Sequence, residues 1–142
     1  MIRAYREKDL SEVMQIWLYT NIKAHNFIPE KYWLENYATV KTLLPQAEIY
    51  VYESDDTGQI DGFVGLTDNY IEGIFVREAA QSRGIGKQLM NYIKENKTAL
   101  KLSVYRKNTG AISFYLKNGF VIQSENIDDN TDEKEFTMTW TR

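Results

Sequence analysis

The stretch Gln81-Ser82-Arg83-Gly84-Ile85-Gly86-Lys87 decides how the rest of this chain is read. It follows a strand-like run, Tyr70 to Val76, and opens a helical one in which Ile85, Leu89 and Ile93, with Tyr92, face inward. The first turn of a helix has unpaired backbone N–H groups and the positive end of the helix dipole. Glycines at 84 and 86 remove side chains that would keep an anion from those groups, and Arg83 and Lys87 add positive charge beside them. The segment suits a pyrophosphate. It suits equally a tight turn that needs glycine for backbone reasons alone. Two phosphate motifs fail on required positions: a Walker loop needs glycine at 81 and Ser or Thr at 88, where the chain has Gln81 and Gln88. A dinucleotide fingerprint needs glycine at 89, where it has Leu89.

Working towards the N-terminus, Gly73 sits inside the Tyr70–Val76 run, a position that often marks a bulge or the close approach of a ligand. Ile60 to Thr67 reads as a strand paired through the Asp55-Asp56-Thr57-Gly58 turn with a strand around Ile49 to Tyr52. Leu10, Val13, Met14 and Trp17 share one face of a helix that begins near Asp9, after a short strand from Ile2 to Tyr5. A second helix is expected from Pro29 towards Leu44, ending before Pro45. Towards the C-terminus, Leu100, Leu102 and Val104 alternate as a strand, and a short helix runs from about Gly110 to Lys117 before Asn118-Gly119. Phe120 to Ser124 and Glu135 to Thr141 read as two last strands around an acidic loop. The order is strand, two helices, three strands, helix, strand, helix, two strands, a mixed α/β arrangement rather than a regularly alternating one.

The chain has 142 residues, 43% apolar, 26% charged and 13% aromatic, with no linker-like stretch and no repeat, so one domain is expected over residues 1–142. No cysteine is present, which excludes a disulfide framework, a thiolate zinc site and a cysteine nucleophile. His25 is the single histidine, which argues against a catalytic triad and a multi-histidine metal site. A net charge of −3 argues against a general nucleic-acid partner. No apolar run approaches the roughly 20 residues of a membrane span, and the first residues lack a signal peptide's apolar segment. The expected location is the cytoplasm.

Gln81-x-x-Gly84-x-Gly86 after a strand resembles the acetyl-CoA signature of the GNAT N-acetyltransferase superfamily, Arg/Gln-x-x-Gly-x-Gly/Ala. Downstream, Asn108 followed by Ala111-Ile112-Ser113-Phe114-Tyr115-Leu116-Lys117-Asn118-Gly119-Phe120 is similar to that family's asparagine and A-x-x-F-Y-x-x-x-G-F. The order of elements is similar over nearly the whole chain. The resemblance implies a mostly antiparallel sheet of six or seven strands with a splayed parallel pair and about four helices. It implies acetyl-CoA as acyl donor, no metal, an amine acceptor (a small molecule or a peptide) and, as in many relatives, a possible homodimer.

The same resemblance assigns roles. The backbone of Ile74, Phe75 and Val76 would pair with the pantetheine arm, as an added strand does. The N–H groups of Gln81, Ser82, Arg83, Gly84, Ile85, Gly86 and Lys87 would hold the pyrophosphate. Asn108 would contact the arm, with Ala111 and Phe114 on the helix beside it. Tyr115 matches the family's general acid, which protonates the departing thiolate; alternatively it only packs against the cofactor. An acceptor amine has a pKa of about 10 and must lose a proton before attack. Glu72, if partly buried and so raised in pKa, is one candidate base; equally it is an exposed strand residue, or a counter-ion that binds the amine. His25 either orients or deprotonates the acceptor, with Phe27 beside it, or is a solvent-facing loop residue. Trp17, Phe27, Tyr32 and Trp33 form either an acceptor wall or core. The acidic residues Glu125, Asp128, Asp129, Asp132, Glu133 and Glu135 read as a solvated loop or as a lure for a cationic amine. Two other readings stay open, a non-catalytic acyl-CoA sensor and a nucleotide-binding domain built on the Gly84/Gly86 turn.

Overall fold

Alternating apolar residues along the middle of the chain build a sheet with both faces covered. In the computed structural model, which describes residues 1–142, seven strands run in the order β1-β2-β3-β4-β5-β7-β6. They are β1 (Ile2–Ala4), β2 (Glu48–Glu53), β3 (Ile60–Thr67), β4 (Tyr70–Val76), β5 (Ala99–Tyr105), β6 (Val121–Asp128) and β7 (Glu133–Thr141). Four helices complete the expected order: α1 (Leu10–Ala24), α2 (Glu30–Leu43), α3 (Ile85–Lys94) and α4 (Thr109–Lys117). Pro29 stands at the N-cap of α2, just ahead of its first turn.

Side chains alternate across the strands into two apolar layers. On one face Val13, Met14 and Trp17 of α1 and Trp33 of α2 pack on Val51 and Phe63. On the other, Leu89, Met90 and Ile93 of α3 pack with Val64, Leu66, Leu100 and Leu102. β3 is buried from Ile60 to Leu66 because helices cover it from both sides. Arg3 fastens β1 to the start of α1 and to β2, donating to Asp9 at 2.8 and 3.0 Å and to Glu53 at 3.0 Å. These bonds to Arg3 hold the buried Asp9 carboxyl below its ordinary range.

The feature that matters for function is the seam between β4 and β5. Every other strand pair is antiparallel; this one is parallel, and it is joined only at Tyr70↔Lys101 and Ile71↔Leu102. Immediately beyond, β4 carries a bulge: Leu66 faces Ile71 and Gly65 faces Gly73, so Glu72 is an extra residue. A bulge bends its strand, and from here β4 and β5 diverge. Ile74 to Val76 remain paired with β3 on one edge only.

The last hairpin differs from the sequence expectation. Phe120 is core, and β6 runs from Val121 to Asp128, well past Ser124. Glu125, Asp128, Glu133 and Glu135 therefore belong to paired strands, and only residues 129–132 form the turn. β6 is an edge strand exposed along nearly its whole length, and β7 alone sets its extent. Its own polar residues gave no local sign of a strand.

Candidate active site

The divergence of β4 and β5 opens a cleft of about 480 Å³. Its walls are the free edge of β4 (Ile74, Phe75, Val76) and the end of β5 (Ser103 to Tyr105). α1 closes one side through Thr20 and Asn21, and α4 the other through Ala111 and Tyr115. Nine sequence-predicted residues meet here: Glu72, Ile74, Phe75, Val76, Gln81, Asn108, Ala111 and Tyr115, together with His25. The remaining loop residues 82–87, Phe114 and Phe27 do not line the cleft itself.

The loop adjoins the cleft at Gln81, whose side-chain amide donates to the Val76 carbonyl at 2.9 Å and pins the loop to the end of β4. Ser82 and Gly84 both have positive φ, 65° and 82°, a conformation that glycine adopts without strain. Helix α3 then starts at Ile85, and Gln88 is the first residue to donate back, to the Gly84 carbonyl. The N–H groups of Ile85, Gly86 and Lys87 find no backbone acceptor. They form an anion-seeking first turn. Ile85 contributes only this backbone group, its side chain being buried in the core. Arg83 and Lys87 are exposed beside the turn, and neither is in an ion pair. Gly86 lies against Phe114, where a β-carbon would stand 3.3 Å from the ring.

Tyr115 is buried on α4, its ring 5.4 Å from Phe114 and 5.8 Å from Phe120 between centroids. Burial, with a smaller push from Tyr70, raises its phenol to about 12, so the hydroxyl keeps its proton throughout the neutral range. Asn108 is the N-cap of α4: its Oδ1 accepts the Ala111 N–H at 3.2 Å.

His25 is not a solvent-facing loop residue. Its ring stacks on Trp33 at 5.3 Å and meets the edges of Tyr105 and Phe27 at 5.1 and 5.7 Å. Its Nε2 is 3.1 Å from Asn108 Nδ2. Burial lowers the imidazole to about 4, opposed only in part by the Asn21 carbonyl, so the ring is neutral near pH 7. Trp17 and Trp33 line the cleft and are also core, so the two sequence readings of the aromatic residues meet in them. Phe27 is half-buried under Lys107.

The carboxylates also depart from expectation. Glu72 lies at the β4 bulge as an exposed residue, not the partly buried one that sequence reasoning used for a base. Glu135, read from sequence as part of an acidic loop, is a strand residue opposite Tyr105 and lines the cleft. Burial, then the nearby Asp128 and Asp129, raise its carboxyl above the ordinary range. Tyr105 itself donates to Asp128 at 2.6 Å. Its place was legible in one respect: Lys101, Ser103 and Tyr105 occupy the face of β5 opposite Leu100, Leu102 and Val104.

With this geometry in view, residues 45–122 match the family description "Acetyltransferase (GNAT) domain". The chain is 34% identical over 142 residues to the peptidyl-lysine N-acetyltransferase YiaC of Escherichia coli, covering 99% of this chain and 96% of that protein. The fold superposes on the solution structure of apo-form YjaB from Escherichia coli with a TM-score of 0.87 at 24% identity, over 99% and 96% of the two chains. An acetyltransferase from Bacillus anthracis, solved in complex with acetyl coenzyme A, matches with a TM-score of 0.61 at 29% identity, over 68% of this chain and 62% of that one. The chain therefore belongs to the GNAT acetyl-CoA-dependent N-acetyltransferases.

Proposed function

We propose that residues 1–142 form one domain that moves the acetyl group of acetyl-CoA directly to the side-chain amine of a lysine in a peptide or protein. The observation that carries this reading is that the unpaired edge of β4 and Tyr115 line one cleft, which the unsatisfied first turn of α3 adjoins. The residues fit the donor. Free N–H groups at Ile85, Gly86 and Lys87, with Arg83 and Lys87 beside them, suit a pyrophosphate. The single-edged strand Ile74 to Val76 suits a chain of amides. The lysine acceptor follows from the likeness to YiaC, whose name states that chemistry.

Acetyl-CoA supplies an activated acetyl thioester. The chain's own groups do the rest. Glu72 on the bulge and Glu135 across the cleft hold the incoming ammonium as counter-ions, and it loses its proton to water in the open cleft before attack. Backbone N–H groups of β4 near Ile74 polarise the carbonyl oxygen as charge develops there. Tyr115 gives its proton to the departing sulfur, and the acetyl group passes directly because no cysteine is present to carry it. The test is mass spectrometry of lysine peptides, peptide N-termini and small amines incubated with the protein and acetyl-CoA. Acetyl on lysine Nε is expected. Transfer only to small amines would overturn the acceptor assignment, and CoA binding without turnover of any amine would leave a binding module.

A further inference from the structure

We infer that His25 is a positioning residue: by accepting a hydrogen bond from Asn108 it fixes the amide of Asn108 in its donor-facing orientation. It thereby ties the α1–α2 connection to donor binding. This rests on the reading above that Asn108 contacts the acyl-donor arm.

The connectivity determines which way each group points. Asn108 Oδ1 accepts the Ala111 N–H at 3.2 Å, and only the oxygen can do so. Nδ2 is therefore the atom 3.1 Å from His25 Nε2, and Nδ2 can only donate. Nε2 must then present its lone pair, which puts the ring proton on Nδ1. The imidazole is held for this task by the Trp33 face and the edges of Phe27 and Tyr105. The backbone on either side is fixed too: His25 N–H donates to the Asn21 carbonyl and Ile28 N–H to the His25 carbonyl, both at 3.0 Å.

Two consequences follow. With both bonds made, Asn108 keeps one Nδ2 hydrogen and one Oδ1 lone pair for a ligand, in fixed directions. Without His25 the amide loses one of its two restraints and can rotate away. Second, the Nε2 lone pair is already engaged, so His25 is not a base waiting for the acceptor amine. Protonation of Nε2 would set N–H against N–H. The depression of the imidazole by burial agrees with a ring that works as a neutral acceptor.

The test is calorimetric titration of CoA into the wild type, His25→Leu, His25→Gln, Asn108→Ser and the His25→Leu/Asn108→Ser double variant, each checked by thermal melting. Serine keeps a capping oxygen on α4 but cannot reach His25. His25→Leu should weaken CoA binding about tenfold, the scale of one hydrogen bond. His25→Gln, whose amide oxygen can accept from Asn108, should recover most of the affinity. In the Asn108→Ser background His25→Leu should add nothing, as expected of two residues acting as a unit. If Asn108→Ser weakens binding and His25→Leu does not, the positioning role is overturned while the Asn108 contact stands. If Asn108→Ser binds like wild type, the Asn108 contact itself fails. Equal weakening by Gln and Leu would reduce His25 to packing and overturn the inference. Should the leucine variant not fold, His25→Asn, too short to reach Asn108, replaces it.

Discussion

Gly86 in the first turn of α3 and Phe114 on α4 meet beside the loop before α3, close enough that a β-carbon on Gly86 would stand 3.3 Å from the Phe114 ring and 3.8 Å from a Val76 methyl. The helix that presents the free N–H groups is thereby seated directly on the strand and helix that line the cleft. Gly86→Ala tests that seating. Alanine gains about 1 kcal/mol of helix propensity over glycine, and crowding the ring costs a similar amount, about 1 kcal/mol. Thermal stability should change little while CoA affinity falls several-fold, because the first turn shifts. Unchanged CoA affinity would mean the turn's position is not critical.

Tyr115→Phe should leave the fold at least as stable, since burial and Tyr70, with no hydrogen bond, govern this hydroxyl. On the proposed role, kcat falls about 10²- to 10³-fold, and the Kd for CoA stays within about twofold. Wild-type kcat should show no loss from this phenol through the alkaline assay range, because its proton leaves only near its raised value of about 12. Activity of the variant close to wild type would make Tyr115 a packing residue.

The half-buried imidazole of His25 makes stability depend on pH. Its value is lowered to about 4 when folded, against about 6.5 when unfolded, so between those values the unfolded chain binds the extra proton. This contribution is fully present above about pH 6.5 and is lost as the pH falls towards 4. Chemical denaturation at stepped pH should show the decline, and His25→Gln should flatten it in that window. An identical slope in the variant would contradict the burial-driven shift.

Glu135 is half-buried, lines the cleft and forms no ion pair, unlike Asp9, Glu53 and Asp61. An uncompensated carboxylate in such a place suits a cationic ligand. Glu135→Gln should raise KM for a lysine peptide about tenfold, the worth of a charge-assisted hydrogen bond, and leave KM for acetyl-CoA near wild type. Equal KM values for the peptide would remove Glu135 from acceptor binding.

The parts of this protein legible in its sequence are those set by local pattern. Ile85, Leu89 and Ile93 mark α3, the Gly84 and Gly86 spacing marks the turn that opens it, and the alternation of Leu100, Leu102 and Val104 marks β5. What escaped depends on partners far along the chain. His25 is half-buried because Asn108, 83 residues away, and Trp33 pack against it. β6 reaches Asp128 only because β7 pairs with it, and the pairing of β7 with β5 brings Glu135 to the cleft. That Glu72 is the extra residue of a bulge carries no local sign, because the register of β3 against β4 sets it.

The most direct test of the account is calorimetric titration of the wild-type protein with acetyl-CoA, free CoA and ATP. The cleft and its adjoining loop predict selective binding of both CoA compounds in the micromolar range and none of ATP. Binding of ATP with no response to CoA would contradict the account, and would make the Gly84/Gly86 turn a nucleotide site.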